Sequence, residues 1–248
     1  EDKIVSFEMM KNFAKKGMVK ESVFAGLSGD LTVQEASSFL RTIFSGVPTT
    51  VSPLFVVPQV IMKEGIHGYM AIPSKKSLIY VSHPSPSLKD SNYTKMALLN
   101  YIVSNRRNTT DESQDDKIQR PVLMSTSLLS QEKASIWLGV LKAQPSQGRA
   151  LIQKMKDYCK QMIDIGFTQA ELDEAKTYAI ESYPLKLMTS AQIAERLHHY
   201  QAIGYTSDFI QGRTKRIQDV TLQDLNGFAK AFLKVENLSF IVVGAPLS

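Results

Sequence analysis

The sequence predicts an α+β fold, an antiparallel β-sheet layer covered by helices, and three observations carry that expectation. The middle of the chain reads strand, strand, helix, strand, strand, and a long helical stretch follows. Hydroxyl residues three places ahead of Glu, Gln or Asp mark several helix starts, where they satisfy free amides. A pattern of amphipathic helix, apolar strand and glycine near the N-terminus recurs near the C-terminus. Strands in runs followed by helices in runs suggest a sheet with helices packed on it rather than alternating βα units.

The opening segment reads helix, strand, helix. Phe7, Met10 and Phe13 share one helical face, and Ser22 to Leu27 (SVFAGL) is a short apolar strand ending at Ser28-Gly29-Asp30. Thr32-Val33-Gln34-Glu35 forms a capping box ahead of a helix that is expected to bury Ala36, Phe39, Leu40 and Ile43. Pro48 and Pro53 bracket an extended linker, because proline cannot donate and disfavours helix in the residue before it. Strands are expected at Gly68 to Ile72 and Ser77 to Ser82, then a helix with Tyr93, Met96, Ala97, Tyr101 and Ile102 inside. Asn105 to Lys117 is polar and rich in turn formers, as a mobile loop would be. Val122 to Leu128 and Ala134 to Leu141 read as paired strands with Ser130-Gln131-Glu132-Lys133 at the turn.

From Gln147 the pattern is helical. One helix spans about Gly148 to Ile165 and stops at Gly166; Thr168-Gln169-Ala170-Glu171 caps the next, which Pro184 ends or kinks. Thr189-Ser190-Ala191-Gln192 opens another that closes at Gly204, a short helix follows Ser207-Asp208, and Thr221-Leu222-Gln223-Asp224 starts the last. Leu238 to Val243 (LSFIVV) is a final buried strand.

Composition removes several function classes. The 248 residues carry 43% hydrophobic and 21% charged side chains, an ordinary balance for a chain that folds on its own core. No apolar run approaches the roughly 18 residues of a membrane span. The first residues, Glu1-Asp2-Lys3-Ile4, do not have the pattern of a signal peptide. The net charge of +5 arises from 29 basic and 24 acidic residues, mostly interleaved along helices. A nucleic-acid binder would show a basic stripe with interleaved aromatics, which is missing here. The single cysteine, Cys159, excludes an internal disulfide, and its neighbours Leu151, Ile152, Met155, Met162 and Ile163 read as a buried, inert thiol's setting.

The most informative signal is internal repetition. VSFEMMKNFAKKGMVKESVFAGLSGD from Val5 and VTLQDLNGFAKAFLKVENLSFIVVGA from Val220 align without a gap at an offset of 215 positions. Val5/Val220, Phe13/Phe228, Ala14/Ala229, Lys15/Lys230, Glu21/Glu236 and Gly29/Gly244 are identical, and Met10/Leu225 and Met18/Leu233 keep the apolar face. Duplication predicts that residues 1–48 are the tail of a preceding N-terminal repeat and that 54–248 form the next, C-terminal repeat.

Three motifs in order extend that reading. Gly166-Phe167-Thr168-Gln169-Ala170-Glu171-Leu172-Asp173-Glu174-Ala175-Lys176 matches a Gly-x-(Thr/Ser)-x-x-Glu-Leu-x-x-Ala-Lys segment, Ile217-Gln218-Asp219-Val220-Thr221 matches an Ile-x-x-Val-Thr turn, and Val23 to Asp30 is an apolar strand ending in Gly-Asp. In these the chain resembles, over essentially its whole length, the C-terminal half of the pitrilysin superfamily of zinc metallopeptidase-like proteins, which includes insulysin-like enzymes and the mitochondrial processing peptidases.

The resemblance implies a metallohydrolase-like half-clamshell, one of two related halves enclosing a peptide. In active members the N-terminal half holds zinc through an inverted His-x-x-Glu-His helix and a later glutamate, two imidazoles one turn apart facing one ion. That motif does not occur in these 248 residues, so no catalytic and no metal-binding residue is assigned, and zinc is expected in the missing half if the parent is active. The histidines are His67, His83, His198 and His199; the last two are adjacent on a predicted helix, so their side chains diverge by about 100° and cannot share an ion as an i, i+4 pair would. Active C-terminal halves also carry a Gly-Gly, Ser-Arg-Leu and Gly-x-x-Tyr series whose Arg and Tyr hold the substrate backbone. Asn100 to Pro121 occupies that place without the series, and neither Arg106-Arg107 nor Arg120 inherits the role, so the substrate-binding residues stay unassigned.

No Gly-x-Ser-x-Gly elbow, phosphate loop or dinucleotide fingerprint is present. Asp111, Glu112, Asp115 and Asp116 lack the glycine and terminal glutamate of a calcium loop. The expected function is therefore the non-catalytic, substrate-enclosing C-terminal part of a zinc-dependent metallopeptidase acting on peptides. The alternative is an inactive structural or partner subunit of the same superfamily. The expected partners are the N-terminal repeat of the same protein or a homologous subunit, and a peptide substrate; no nucleic acid and no membrane span are expected. Paired bacterial relatives are often exported, which makes the bacterial periplasm the compartment to test.

Overall fold

A computed structural model of the chain describes residues 5–49, 60–105, 124–130 and 134–244. In chain order the elements are helix α1 (Phe7–Gly17), a 3-10 turn (Lys20–Ser22), α2 (Val33–Ile43), strands β1 (His67–Ala71) and β2 (Ser77–Pro84), α3 (Tyr93–Asn105), β3 (Met124–Ser130) and β4 (Ser135–Ala143). A 3-10 turn (Pro145–Gln147) leads into α4 (Gly148–Ile165), α5 (Gln169–Glu181), a second such turn (Pro184–Leu187), α6 (Ser190–Ala202), α7 (Ser207–Gln211), α8 (Arg213–Gln218), α9 (Leu222–Phe232), a last 3-10 turn (Val235–Asn237) and β5 (Ser239–Gly244). The chain divides into two compact units, one of Glu1–Pro58 with Ser182–Gly212 and one of Gln59–Glu181 with Arg213–Ser248.

The larger unit holds the sheet. Its strands lie in the order β1-β5-β2-β4-β3. β2 pairs antiparallel with β4 and β5, and β3 with β4, while β1 runs parallel to β5. The α+β layer is thus mainly antiparallel, with one parallel pair that arises because the last strand enters between the first two rather than at an edge. Every second residue of β2 (Ser77, Ile79, Val81, His83) and of β4 (Ser135, Trp137, Gly139, Leu141, Ala143) is buried, the period-2 pattern of a strand with one face on a core.

Helices supply the other side of that core. Met96, Leu98, Leu99, Ile102 and Val103 of α3, Met155, Tyr158, Cys159 and Met162 of α4, Leu172 and Ala175 of α5, and Leu225, Ala229 and Phe232 of α9 join Ile79, Val81, Trp137, Leu141, Phe240 and Val242 of the sheet. The Trp137 indole donates to Asn100 Oδ1 at 3.0 Å, so its polar edge is satisfied inside the core. α4 ends at Gly166, whose φ of +78° is a helix-closing conformation that an L side chain rarely adopts. A Cβ there would meet Asn226 Oδ1 at 3.0 Å, and the same oxygen accepts from Phe167 N at 2.7 Å, fastening the α4–α5 turn to α9. The Thr168–Glu171 capping box forms at the start of α5, with Thr168 N donating to Glu171 Oε2 at 2.9 Å.

The smaller unit is different in kind. It contains α1, α2, α6 and α7, and among its described residues Val19 alone is fully buried. The Thr32 and Thr189 capping boxes form as the sequence predicts. The helix after Thr32, however, leaves Phe39 55% and Ile43 53% exposed, against the expected burial, because an apolar stripe shows which side of a helix seeks cover and not whether a neighbour supplies it. A second correction concerns Ser22 to Leu27. No strand forms there: Ser22 closes the 3-10 turn and residues 23–28 run without a ladder partner among the described residues.

The Pro48–Pro53 linker begins in view, with Lys20 N donating to the Pro48 carbonyl at 3.1 Å, and its residues 50–53 lie outside the described residues. Residues 106–117 of the Asn105–Lys117 segment, 122–123 of the expected third strand and 131–133 of the Ser130–Lys133 turn lie outside them as well.

Candidate functional site on the free face of the sheet

One face of the sheet meets helices, and the other is where the larger unit presents chemistry. The free-face positions are Gly68 and Met70 on β1, Leu78, Tyr80, Ser82 and Pro84 on β2, Ser125, Ser127 and Leu129 on β3, Ile136, Leu138, Val140 and Lys142 on β4, and Ile241 and Val243 on β5, none of which belongs to the core. The register sets them side by side: Tyr80 lies opposite Val140 on one flank and Ile241 on the other, and Leu78 lies opposite Val243 and Lys142. Ile241 leans over β1, its Cδ1 only 2.9 Å from where a Cβ on Gly68 would stand. Lys142 is the one charged side chain at the free-face positions of β1, β2, β4 and β5.

The apolar centre of this face, Leu78, Tyr80, Leu138, Val140, Ile241 and Val243, is unusual for a sheet bathed by water, where outward positions alternate to polar residues. β4 shows the anomaly in sequence: residues 136–141, Ile-Trp-Leu-Gly-Val-Leu, are apolar on both faces, the signature of a strand covered on both sides. The signal was present in the sequence as an unbroken apolar run and gave the strand, but which half of it faces helices is visible only in the fold. β1 and β3 are the sheet edges. β1 carries Tyr69, 50% exposed, and Met70, 61% exposed, along a backbone whose outer side has no strand partner among the described residues; Tyr69 is steadied by its hydroxyl, which donates to the Gly244 carbonyl at 3.0 Å.

The remaining candidate residues come apart. His67 on β1 stacks on Phe240 with ring centroids 5.7 Å apart. His83 is buried on the helix-covered face, with Nδ1 2.7 Å from the Pro84 carbonyl oxygen and its ring edge-on to Phe232 at 4.5 Å. The carbonyl can only accept, so Nδ1 carries the proton in that contact, and among the described residues the buried Nε2 has no hydrogen-bond partner. His198 and His199 are neighbours on α6 in the smaller unit, and the His199 ring lies 6.1 Å from that of Tyr200. Among the described residues no group of three or more His, Cys, Asp or Glu could hold a metal ion. With the His-x-x-Glu-His motif absent from all 248 residues, the side chains present do not fit a catalytic zinc. Burial pushes the Cys159 thiol up to about 12, which leaves it protonated and unreactive at neutral pH. Arg106, Arg107, Arg120, Asp111, Glu112, Asp115 and Asp116 lie outside the described residues.

Comparison with known proteins places the fold. A family model described as the peptidase M16 inactive domain matches residues 5–178. The non-peptidase homolog YmxG of Helicobacter pylori is 30% identical over 105 residues, which are 42% of this chain and 24% of that protein. The crystal structure of a peptidase M16 inactive domain from Pseudomonas fluorescens superposes with a TM-score of 0.80 at 16% identity, covering 98% of this chain and 60% of that one. A protease from Helicobacter pylori superposes with a TM-score of 0.69 at 15% identity, covering 87% of this chain and 54% of that one. The chain therefore spans less than two thirds of each of these relatives. Since the family model covers well over half of its length, the chain belongs to the inactive-domain family of the M16 peptidases, the C-terminal half of the pitrilysin superfamily.

Proposed function

We propose that this chain is the non-catalytic, substrate-enclosing C-terminal part of a zinc-dependent metallopeptidase acting on peptides. The observation that carries the reading is the apolar free face, with Tyr80 flanked by Val140 and Ile241 and bordered by the open edge of β1. An extended peptide meets the needs of both features. Its backbone adds to a sheet edge through main-chain hydrogen bonds, and its alternate side chains reach the face beside that edge. The chain's own part is binding, orientation and exclusion of water; the hydrolytic metal and its base are supplied by a sister half.

A second reading, an inactive structural or partner subunit of the same superfamily, is favoured by two observations. The span Asn100 to Pro121 lacks the Arg- and Tyr-bearing series of active halves. The relative from Helicobacter pylori is named a non-peptidase homolog.

One experiment on the complete protein separates the readings. A fluorogenic peptide is followed for cleavage, and a fluorescein-labelled, uncleavable analogue is followed for binding, with wild type and Val140→Asp. Cleavage that falls by at least about tenfold in the variant, the effect of a charge in an apolar contact, supports the enclosing enzyme half. Binding that the variant weakens, without cleavage in either protein, supports the partner reading with the same peptide face. Neither cleavage nor binding overturns the peptide-face proposal.

A further inference from the structure

β1 (His67–Ala71) is an edge of the sheet without the usual protection of one. Edge strands are commonly blunted by a lysine, a proline or a bulge. The sequence of β1, His-Gly-Tyr-Met-Ala, holds no lysine, proline or acid, and it pairs with β5 one to one from His67↔Phe240 to Ala71↔Gly244 without a bulge. Its outer N–H and C=O groups have no strand partner among the described residues and form a template for a further extended chain. Within that template lies Gly68. A glycine inside a strand weakens it and often marks a place where another backbone or a ligand comes close. Among the described free-face positions Gly68 alone has no side chain. The gap is bounded on its inner side by Ile241, whose Cδ1 lies 2.9 Å from where a Gly68 Cβ would stand.

We infer that Gly68 is a specificity-determining notch: a peptide added to the β1 edge places a large apolar side chain, of the leucine or phenylalanine class, opposite Gly68 and against Ile241. The inference rests on the peptide-binding reading proposed above. Residues directly opposite on neighbouring strands share a face, and the strands lie about 4.8 Å apart. The incoming residue opposite Gly68 is thus on the free face, two strands from Ile241, because Gly68 and Ile241 are themselves register partners. A side chain at position 68 would stand between the two. With glycine there, Ile241 leans over β1 from one side and the incoming side chain meets it from the other. A large neighbour laid across an edge glycine supplies the packing that the glycine lacks. Behind Ile241 the row continues through Tyr80 to Val140, so the contact joins the apolar centre of the face.

The neighbouring positions explain why selection falls on this row. An incoming residue two places along, on the same face, comes beside Met70, whose own side chain stands between it and Val243. The residues between these turn to the other face, beside His67 and Tyr69. Both rings there are already engaged: His67 stacks on Phe240 with centroids 5.7 Å apart, and the Tyr69 hydroxyl donates to the Gly244 carbonyl at 3.0 Å. Only opposite Gly68 does the edge lack a side chain of its own, and only there is apolar surface from the second strand, Ile241 at 37% exposure, within reach of an added chain. The ligand class is therefore an extended peptide with one large apolar residue at that register position.

The test uses the complete protein and two fluorescein-labelled, uncleavable peptides: a short host built of Ala and Thr, and the same host with one central Ala changed to Leu. Fluorescence anisotropy gives the Kd of each for wild type, Gly68→Ser and Ile241→Ala. Gly68→Ser puts a small polar group into the gap, where its Cβ meets only the flexible end of Ile241, and Ile241→Ala removes the contact without touching β1. In wild type the leucine should tighten binding by about tenfold or more, the effect of covering a few methylenes. In both variants that gain should shrink to within about twofold of the host. Should Gly68→Ser lower the thermal unfolding temperature, the comparison with Ile241→Ala decides by itself. A leucine gain that persists in the variants overturns the inference and leaves the peptide-binding reading standing. Failure of both peptides to bind wild type overturns that reading and this inference together. Self-association of wild type with no leucine gain, seen by sedimentation velocity and lost in Gly68→Ser, assigns the edge to a second copy and overturns the inference as well.

Discussion

The two ends of this chain carry the same local instructions and meet different fates. In α9 and β5 an apolar helical stripe and a strand are closed into the larger unit's core. In α1 the equivalent positions Met10 and Met18 are 52% and 69% exposed, and residues 23–29 have no strand partner among the described residues. Helix limits, the 3-10 turn and the closing hydrogen bond are the same in both, so none of these needs the sheet. The strand differs because its hydrogen bonds run to other strands, whereas a helix's run within itself. The comparison thus separates what a segment encodes from what its neighbours must complete.

The comparison breaks most visibly at the apolar stripe. Leu225→Ala should destabilise the larger unit by about 2–5 kcal/mol, the cost of lost burial and a cavity at a closed site. Met10→Ala in the same chain should stay within about 0.5 kcal/mol. Urea unfolding of the two variants reads the difference directly, and equal effects would mean that α1 is packed in solution as α9 is.

The paired glycines give a smaller contrast. Gly244, with φ of +141° and no room for a Cβ, should lose about 1–3 kcal/mol on change to Ala. Gly29→Ala should be near neutral in this chain, as its φ is not positive and its surroundings are open. Thermal unfolding of the two variants decides the matter, and a large loss at Gly29 would count against the unfilled strand position.

The helix caps give the smallest contrast and one that depends on pH. Thr221 N and Oγ1 both donate to Asp224 Oδ2, at 3.0 and 2.6 Å, and these bonds hold the carboxyl below its usual range. A carboxylate depressed in the folded state stabilises it above the unfolded value, and that contribution is lost as pH falls through the folded one. α9 should therefore loosen in acid while α1, whose third helical residue is Met9, has no such box to lose. Thr221→Ala should cost about 1 kcal/mol at neutral pH, and less of it in acid, as pH falls through the lowered range of the Asp224 carboxyl; an unchanged difference on acidification would exclude the carboxylate's part.

Much of the fold was legible in the sequence because much of it is local. The capping boxes at Thr32, Thr168, Thr189 and Thr221, the stops at Gly166, Pro184 and Gly204, the strands about Gly68, Ser77, Ala134 and Leu238, and the described part, from Met124, of the strand expected from Val122 are each written in residues close to one another. Ser22 to Leu27 was read as a strand from the same kind of pattern and is not one, since β-propensity expresses itself only against a neighbouring strand. Phe39 and Ile43 were read as buried because a helix's apolar stripe shows which side seeks cover, and not whether cover exists. The candidate site was the least legible part. Tyr80, Val140 and Ile241 lie far apart in sequence, and only the pairing of β2 with β4 and β5 sets them in one row.

By itself the sequence determined the helices and their ends, the repeated helix–turn unit at its two extremities, and the lack of a His-x-x-Glu-His motif in its 248 residues. Tertiary structure decided which copy of that unit was closed, that β5 entered between β1 and β2, and which face of β4 met helices. The division follows from the reach of the interactions: caps, turns and helical bonds join residues a few places apart, whereas burial and strand pairing exist only once distant segments have met.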